Sequence, residues 1–191
     1  MQKTITIIRT EHRRLAAIIN CFVGVLSDME NTNADPDFGL LDQVHEYCRS
    51  FLYKFHHPKE DGYLFPALVQ ARPDLLPVIS KLESEHERGV TLLDQLDQAL
   101  ASLKEDPRKN LGLYIQVAKT YRDFEWKHMA TEEKEILPQA EKSIPEDVWK
   151  ELDNVFSDHD DPVFGDKPQG NYENLLSQIV NRAPSPHGLG E

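Results

Sequence analysis

Cysteine is scarce in this chain: Cys21 and Cys48 are the only two in 191 residues. Two thiols cannot staple a small secreted scaffold, so the core must close by packing, and a reducing, cytoplasmic setting is expected. Basic side chains are also few, 21 Lys and Arg against 33 Asp and Glu, giving a formal charge of −12. An acidic surface repels phosphate backbones and anionic headgroups, which argues against nucleic-acid and membrane partners. No apolar run approaches the ~20 residues of a membrane span. The first stretch is broken by Arg9, Glu11, His12, Arg13 and Arg14, so it does not read as a signal-peptide core either. Sustained polar–apolar alternation is missing too, and with it the signature of half-buried strands.

What is present is helical period. Ile5, Ile8, His12, Leu15, Ile19, Phe22 and Leu26 recur at spacings of three and four, placing His12 inside an apolar stripe. A polar loop is expected over 27–38. A second helix begins near Leu40 and carries Val44, Cys48, Leu52, Phe55 and His56. Pro58 forfeits a hydrogen bond, so a kink is expected there, with Pro66 and Pro73 marking the end of the arm. Leu75, Ile79, Leu82, His86, Val90, Leu93, Leu96 and Leu100 make a third stripe, again with a histidine in it. Asp106-Pro107 opens a fourth helix, which carries Leu113, Val117, Tyr121, Phe124, His128 and Glu132 and ends between Pro138 and Ser143. Ser143-Ile144-Pro145-Glu146 has the spacing of a capping box and starts a shorter fifth helix reaching about Ser157.

The fold class is therefore all-α: an antiparallel up-and-down four-helix bundle with a short additional C-terminal helix and a flexible tail. Residues 1–160 are assigned to the bundle and fifth helix. Residues 161–191 are expected to be irregular, with a possible short helix at 172–182 and a disordered end, PSPHGLGE.

The chain also repeats itself. His56, Glu60 and Pro66 each return 72 residues later as His128, Glu132 and Pro138, and Glu11-His12 returns 74 residues later as Glu85-His86. Residues i and i+4 share a helix face, so His56 with Glu60, and His128 with Glu132, can each aim at one centre. His12 and His86 come from the preceding helix of each half. Imidazoles suit first-row transition metals and a carboxylate can bridge two cations, so four histidines and two glutamates form a first shell for two metal ions. A lone stripe histidine is more often a satisfied core residue, and a lone His-x-x-x-Glu more often a surface pair. The duplication favours the metal reading. Bound cations would also remove the cost of burying two glutamates, which makes a less stable metal-free protein expected.

This residue set, over about residues 3–141, resembles the hemerythrin family in its bacterial form, the HHE cation-binding domain. The resemblance implies a non-haem centre of two iron ions, bridged by an oxo or hydroxo group and two carboxylates. His12 and His56 would hold one iron, His86 and His128 the other, with Glu60 and Glu132 bridging. Oxygen-carrying members have His-x-x-x-His on the third helix; here the positions four from His86 are Leu82 and Val90. Their fourth helix has His-x-x-x-x-Asp, whereas this chain has His128-x-x-x-Glu132 with Glu133 at the Asp position. The pattern is similar to the histidine-poorer members, such as the repair-of-iron-centres proteins. An open position on both irons is then implied, which favours reaction with oxygen, nitric oxide or hydrogen peroxide in a stress response over reversible carriage. An iron- or oxygen-sensing module without turnover, and iron storage or delivery, are the alternative readings. No protein partner is indicated.

Other residues have two readings each. His57 lies about 100° around the helix from His56 and is expected to face a neighbouring helix or solvent. Glu133, turned likewise, is expected to be solvated. Tyr121 either packs in the core or donates to an iron-bound oxygen species, and Glu125 could accept from a ligand imidazole. His45 and Arg49 mark either a polar end of the bundle or a solvated helix start. His159 reads as a helix-ending surface turn, and Cys21 and Cys48 as small buried apolar groups.

Overall fold

The computed structural model describes residues 2–32, 35–157 and 168–190; His159 lies outside them. Among the described residues the chain is helical throughout, without a named strand. Four long arms dominate. The first is one helix, Lys3–Thr32. It runs through the first half of the expected loop, because Met29 is carried into the core and Glu30 suits a helix interior. The second arm, 38–71, starts where the Asp37 carboxylate accepts from the Leu40 amide. The third is Leu76–Glu105. The fourth, 107–143, begins at Pro107 behind the Asp106 cap, whose carboxylate accepts from the Lys109 amide.

Neither Pro66 nor Pro138 ends its arm; the helix passes both and stops at Ala71 and Ser143. It does so by widening. Residues Glu60–Leu64 and Glu132–Ile136 are each π-helical, and the amides of Phe65 and Leu137 reach back five residues to the Glu60 and Glu132 carbonyls. Proline clashes with the carbonyl four residues before it and supplies no N–H, so the wider turn accommodates what an α-turn cannot. A longer π-wound run, Cys48–His56, precedes Pro58 in the second arm. Ser143 is the last residue of the fourth arm rather than a cap, and the fifth helix is Glu146–Ser157.

Two apolar clusters fill the interior. One joins Leu15 to Met29 with Leu40 to Phe55, Leu93 to Leu103 and Tyr114 to Met129. The other joins Ile5 and Ile8 with Leu64, Phe65, Leu68, Ile79, Leu82, Ile136, Leu137 and Ala140. On every arm the sequence crosses from one cluster to the other at the same place: between Ile8 and Leu15, Phe55 and Leu64, Leu82 and Leu93, Met129 and Ile136. The repeated histidines and glutamates lie in or at the edge of that gap, His128 just before Met129. Apolar packing on both sides thus fixes a polar layer and keeps bulk water out of it.

Each end is closed by a later helix. The fifth helix buries Trp149, Leu152 and Phe156 in the second cluster, and its Asp153 accepts from the Thr4 amide at 2.7 Å, satisfying a donor at the first arm's start. The last helix, Pro168–Arg182, begins earlier than expected and packs Ile179 and Ala183 on the first cluster. Where the sequence suggests a disordered end, 183–190 doubles back: the Leu189 amide donates to Val180, and His187 meets Asp28 at 2.9 Å.

Candidate metal centre

All six residues of the duplicated pattern meet in the polar layer, and each is at most 6 % exposed. Two groups stand out, each with ligand atoms within 4.8 Å of one another: His12, His56, Glu60 and Glu132, and His57, His86 and His128. The groups adjoin. His86 and His128 bring their Nε2 atoms to 3.0 Å, and the same two nitrogens lie 3.8 and 3.2 Å from Glu132 Oε1. His86 Nε2 is also 3.7 Å from Glu60 Oε2, while His12 and His56 present theirs to Glu132 at 3.3 Å and Glu60 at 3.5 Å. The two glutamates therefore stand between the histidine groups.

The outer nitrogens are each held by a carboxylate. His56 Nδ1 donates to Glu11 at 2.8 Å, His12 Nδ1 to Glu133 at 3.0 Å, His86 Nδ1 to Asp61 at 2.7 Å and His128 Nδ1 to Glu85 at 3.2 Å. This orients each ring with Nε2 inward, the arrangement that fixes tautomer and basicity in carboxylate–histidine–metal sites. The four anchors follow the repeat: Glu11 matches Glu85, and Asp61 matches Glu133. Glu133 is therefore a partner of His12 and of Arg9, 3.2 Å away, not a solvated side chain.

His57 departs furthest from expectation. It does turn toward a neighbouring helix, but that helix presents His86, and the two rings stack at 3.8 Å with an 11° tilt. The π-wound run ahead of it turns less per residue than an α-helix, so the angular spacing assumed for an α-helix does not hold there. Its repeat position holds Met129. Gly89 permits the close approach of the second and third arms, since a side chain there would lie 2.6 Å from the Tyr53 hydroxyl.

The electrostatics are those of a centre built for cations. Burial together with the nearby Glu132 charge holds Glu60 well above the usual carboxylate range. Burial acts on Glu132 in the same sense, but His128, His12 and His86 hold it well below that range. Burial opposes charge on His12 and His128 too, yet Glu132 with Glu133 around the one, and with Glu125 and Glu85 around the other, raises each to about 9. His57 is lowered well below the ordinary histidine value by burial and by the neighbouring His86, His56 and His128. None of the four oxygens of Glu60 and Glu132 has a hydrogen-bond partner among the described residues, nor do His12 Nε2 and His57 Nδ1. Leaving so many buried polar atoms unmatched is costly unless something else engages them. Cations fit that vacancy of partners, as do the nitrogen and oxygen donors themselves.

Three further residues lie near the layer but are engaged elsewhere. Glu125 accepts from Tyr53 at 2.7 Å rather than from a ligand imidazole, and Tyr121 packs beside Tyr53, their hydroxyls 3.3 Å apart. His45 is buried, not solvated, between Asp97 at 2.6 Å and the Tyr114 hydroxyl at 2.9 Å, with Arg49 paired to Asp94 and Asp97. Cys21 and Cys48 are free and buried, and burial pushes the Cys48 thiol up to about 12.

A helical domain with such a layer belongs to the class of metal-binding helical proteins. The comparison with known families makes this specific: the model of the hemerythrin HHE cation binding domain matches residues 3–140, and the chain belongs to that family. Uncharacterised proteins of Mycobacterium bovis and of Mycobacterium tuberculosis strains CDC 1551 and H37Rv are each 27% identical over 144 residues, 74% of this chain and 54% of theirs. The chain thus spans about half the length of the curated relatives it matches. No solved structure matches it. Among the described residues, no helix is long and apolar enough to cross a membrane.

Proposed function

We propose that this chain is a di-iron protein that binds and processes a small diatomic or peroxide ligand. The observation that carries the reading is the pair of adjoining ligand groups sharing two buried, unpartnered glutamates. One iron would be held by His12 and His56, the other by His86 and His128 with His57 beside them, and Glu60 and Glu132 would span the two. The arms that supply these residues are read as an antiparallel up-and-down four-helix bundle. Support comes from partners that run in opposite directions: Glu11 with His56 but Phe22 with His45, and His57 with His86 but Arg49 with Asp94.

Bound iron would supply one-electron exchange with a ligand such as oxygen, nitric oxide or hydrogen peroxide. The chain's own groups do the rest. The four anchoring carboxylates hold the imidazoles in place, and the two apolar clusters exclude bulk water. Metal analysis with optical spectroscopy of protein handled without air, then exposed separately to each ligand, tests this. The reading expects two irons per chain and a spectral change with at least one ligand. A His56→Ala or His128→Ala protein that kept the full complement and spectrum would refute the assignment.

A further inference from the structure

The duplicated halves are not equally accessible. His86 is closed on both faces, with the His57 ring stacked at 3.8 Å and the Phe65 ring at 5.8 Å. His12 occupies the matching position in the other half, where the repeat has Met129 and Leu137 in place of His57 and Phe65. Among the described residues no ring stacks on it; the His56 ring meets it edge-on at 5.2 Å. Beside it lies a cleft of about 190 Å³ between the first and fourth arms, with an almost wholly apolar wall. Ala16, Met129 and Ala130 shape that wall, and Arg13 and Trp126, both exposed, stand at its mouth. The corresponding positions of the other half are Val90, His57 and Pro58, with Val90 and Pro58 larger than the alanines they match.

From this asymmetry we infer that the cleft between the first and fourth arms is a binding site for small uncharged molecules and the route by which they reach His12. It rests on the proposed function only for what happens beyond His12. Three observations fit this occupant. The volume is below the roughly 300 Å³ at which pockets for drug-sized ligands begin, yet it holds several water-sized probes. Glu133 also lines the cleft but is engaged by His12 and Arg9, and the wall inside the mouth is otherwise apolar, so a charged molecule would lose its hydration shell there without compensation. His12 lines the cleft, is 5 % exposed, and turns its Nε2 inward to Glu132 at 3.3 Å, so it joins the cleft to the metal layer. Ala16 and Ala130 set the bore, and Met129, flexible and 5 % exposed, forms the floor between the cleft and the metal layer.

Xenon is a suitable probe, because it is small and uncharged, settles against apolar walls and needs no metal to bind. Xenon-pressurised crystals of the metal-free and iron-loaded protein should show it against Met129 and Ala130 in both. Ala16→Leu and Ala130→Leu should exclude it, as should the milder Ala130→Val if either leucine variant folds poorly. Iron content should stay at the wild-type level. In the iron-loaded variants, nitric oxide should associate about tenfold or more slowly, against the narrow range over which association rates usually vary. Val90→Leu, at the matching position of the closed half, should leave the rate unchanged. Xenon absent from the cleft, or filled variants that keep the wild-type rate, would overturn the inference. Xenon bound in the cleft and expelled by the variants, with no response of any form to nitric oxide, oxygen or hydrogen peroxide, would uphold the site and refute the proposed function.

Discussion

Within one half of the metal layer, His86 and His128 gain a third imidazole from His57 and lie under stacked rings; within the other, His12 and His56 have Met129 at that position and an open cleft alongside. The inner and outer acids are matched: Glu60 with Glu132, Glu11 with Glu85, Asp61 with Glu133. The halves therefore agree in what holds the cations and differ in what surrounds them. On the proposed reading a duplicated ligand set would give two metal positions, and a few unlike neighbours would make one richer in nitrogen and the other more reachable, because the layer is less symmetric than the repeat that builds it.

Several changes would break or sharpen this contrast. The largest effect is expected from removing an inner ligand. His56→Ala or His128→Ala should lose most bound iron by metal analysis, since an open ligand position and an unmatched glutamate remain in a buried layer. Next comes His57→Met, which makes the halves alike. It should weaken iron on the His86 side and leave the His12 side near its wild-type affinity, read by titration with a competing chelator. Loss of an outer anchor is milder: Glu11→Gln or Asp61→Asn should cost roughly 10–100-fold in metal affinity, because the imidazole keeps its place but loses its orienting acceptor.

The halves also set a pH dependence. In the metal-free protein His12 and His128 are raised from 6.5 to about 9. The stability they contribute is complete below 6.5 and is lost as pH rises through about 9. His56 and His57 are lowered, mainly by burial, so protonating their unfolded forms removes stability as pH falls below 6.5. The melting temperature of metal-free protein should therefore peak near pH 6.5, and iron affinity should rise from there toward pH 9 as protons leave His12 and His128. The smallest effect lies far from the layer. Arg182 and Asp37 form an exposed pair at 2.6 Å, and Arg182→Gln should change stability by about 1 kcal/mol or less.

How much of this was legible in the sequence depended on whether one helix or two were needed to see it. His12, His56, Glu60, His86, His128 and Glu132 could be read because stripe position and the i, i+4 rule act within a single helix. The outer anchors could not. Glu11 and Glu85 were visible beside histidines, but each holds the histidine of the next arm, His56 and His128, not its own neighbour. Asp61 and Glu133 serve histidines on arms distant in sequence, so their roles depend on packing. The arm ends expected between Pro66 and Pro73 and between Pro138 and Ser143 fall at Ala71 and Ser143; the widened turns that carry the helix past Pro66 and Pro138 were not read, although proline recurs six residues after each inner glutamate. His57 was expected to face a neighbouring helix or solvent and faces the third arm; that its ring lands on His86 depends on packing between arms and could not be read within one helix.

Mössbauer spectroscopy of iron-57-loaded protein addresses the central claim most directly. The account predicts two irons per chain in two distinguishable environments, drawn together in His57→Met. A single environment in the wild type, or two that are unaltered in His57→Met, would contradict it.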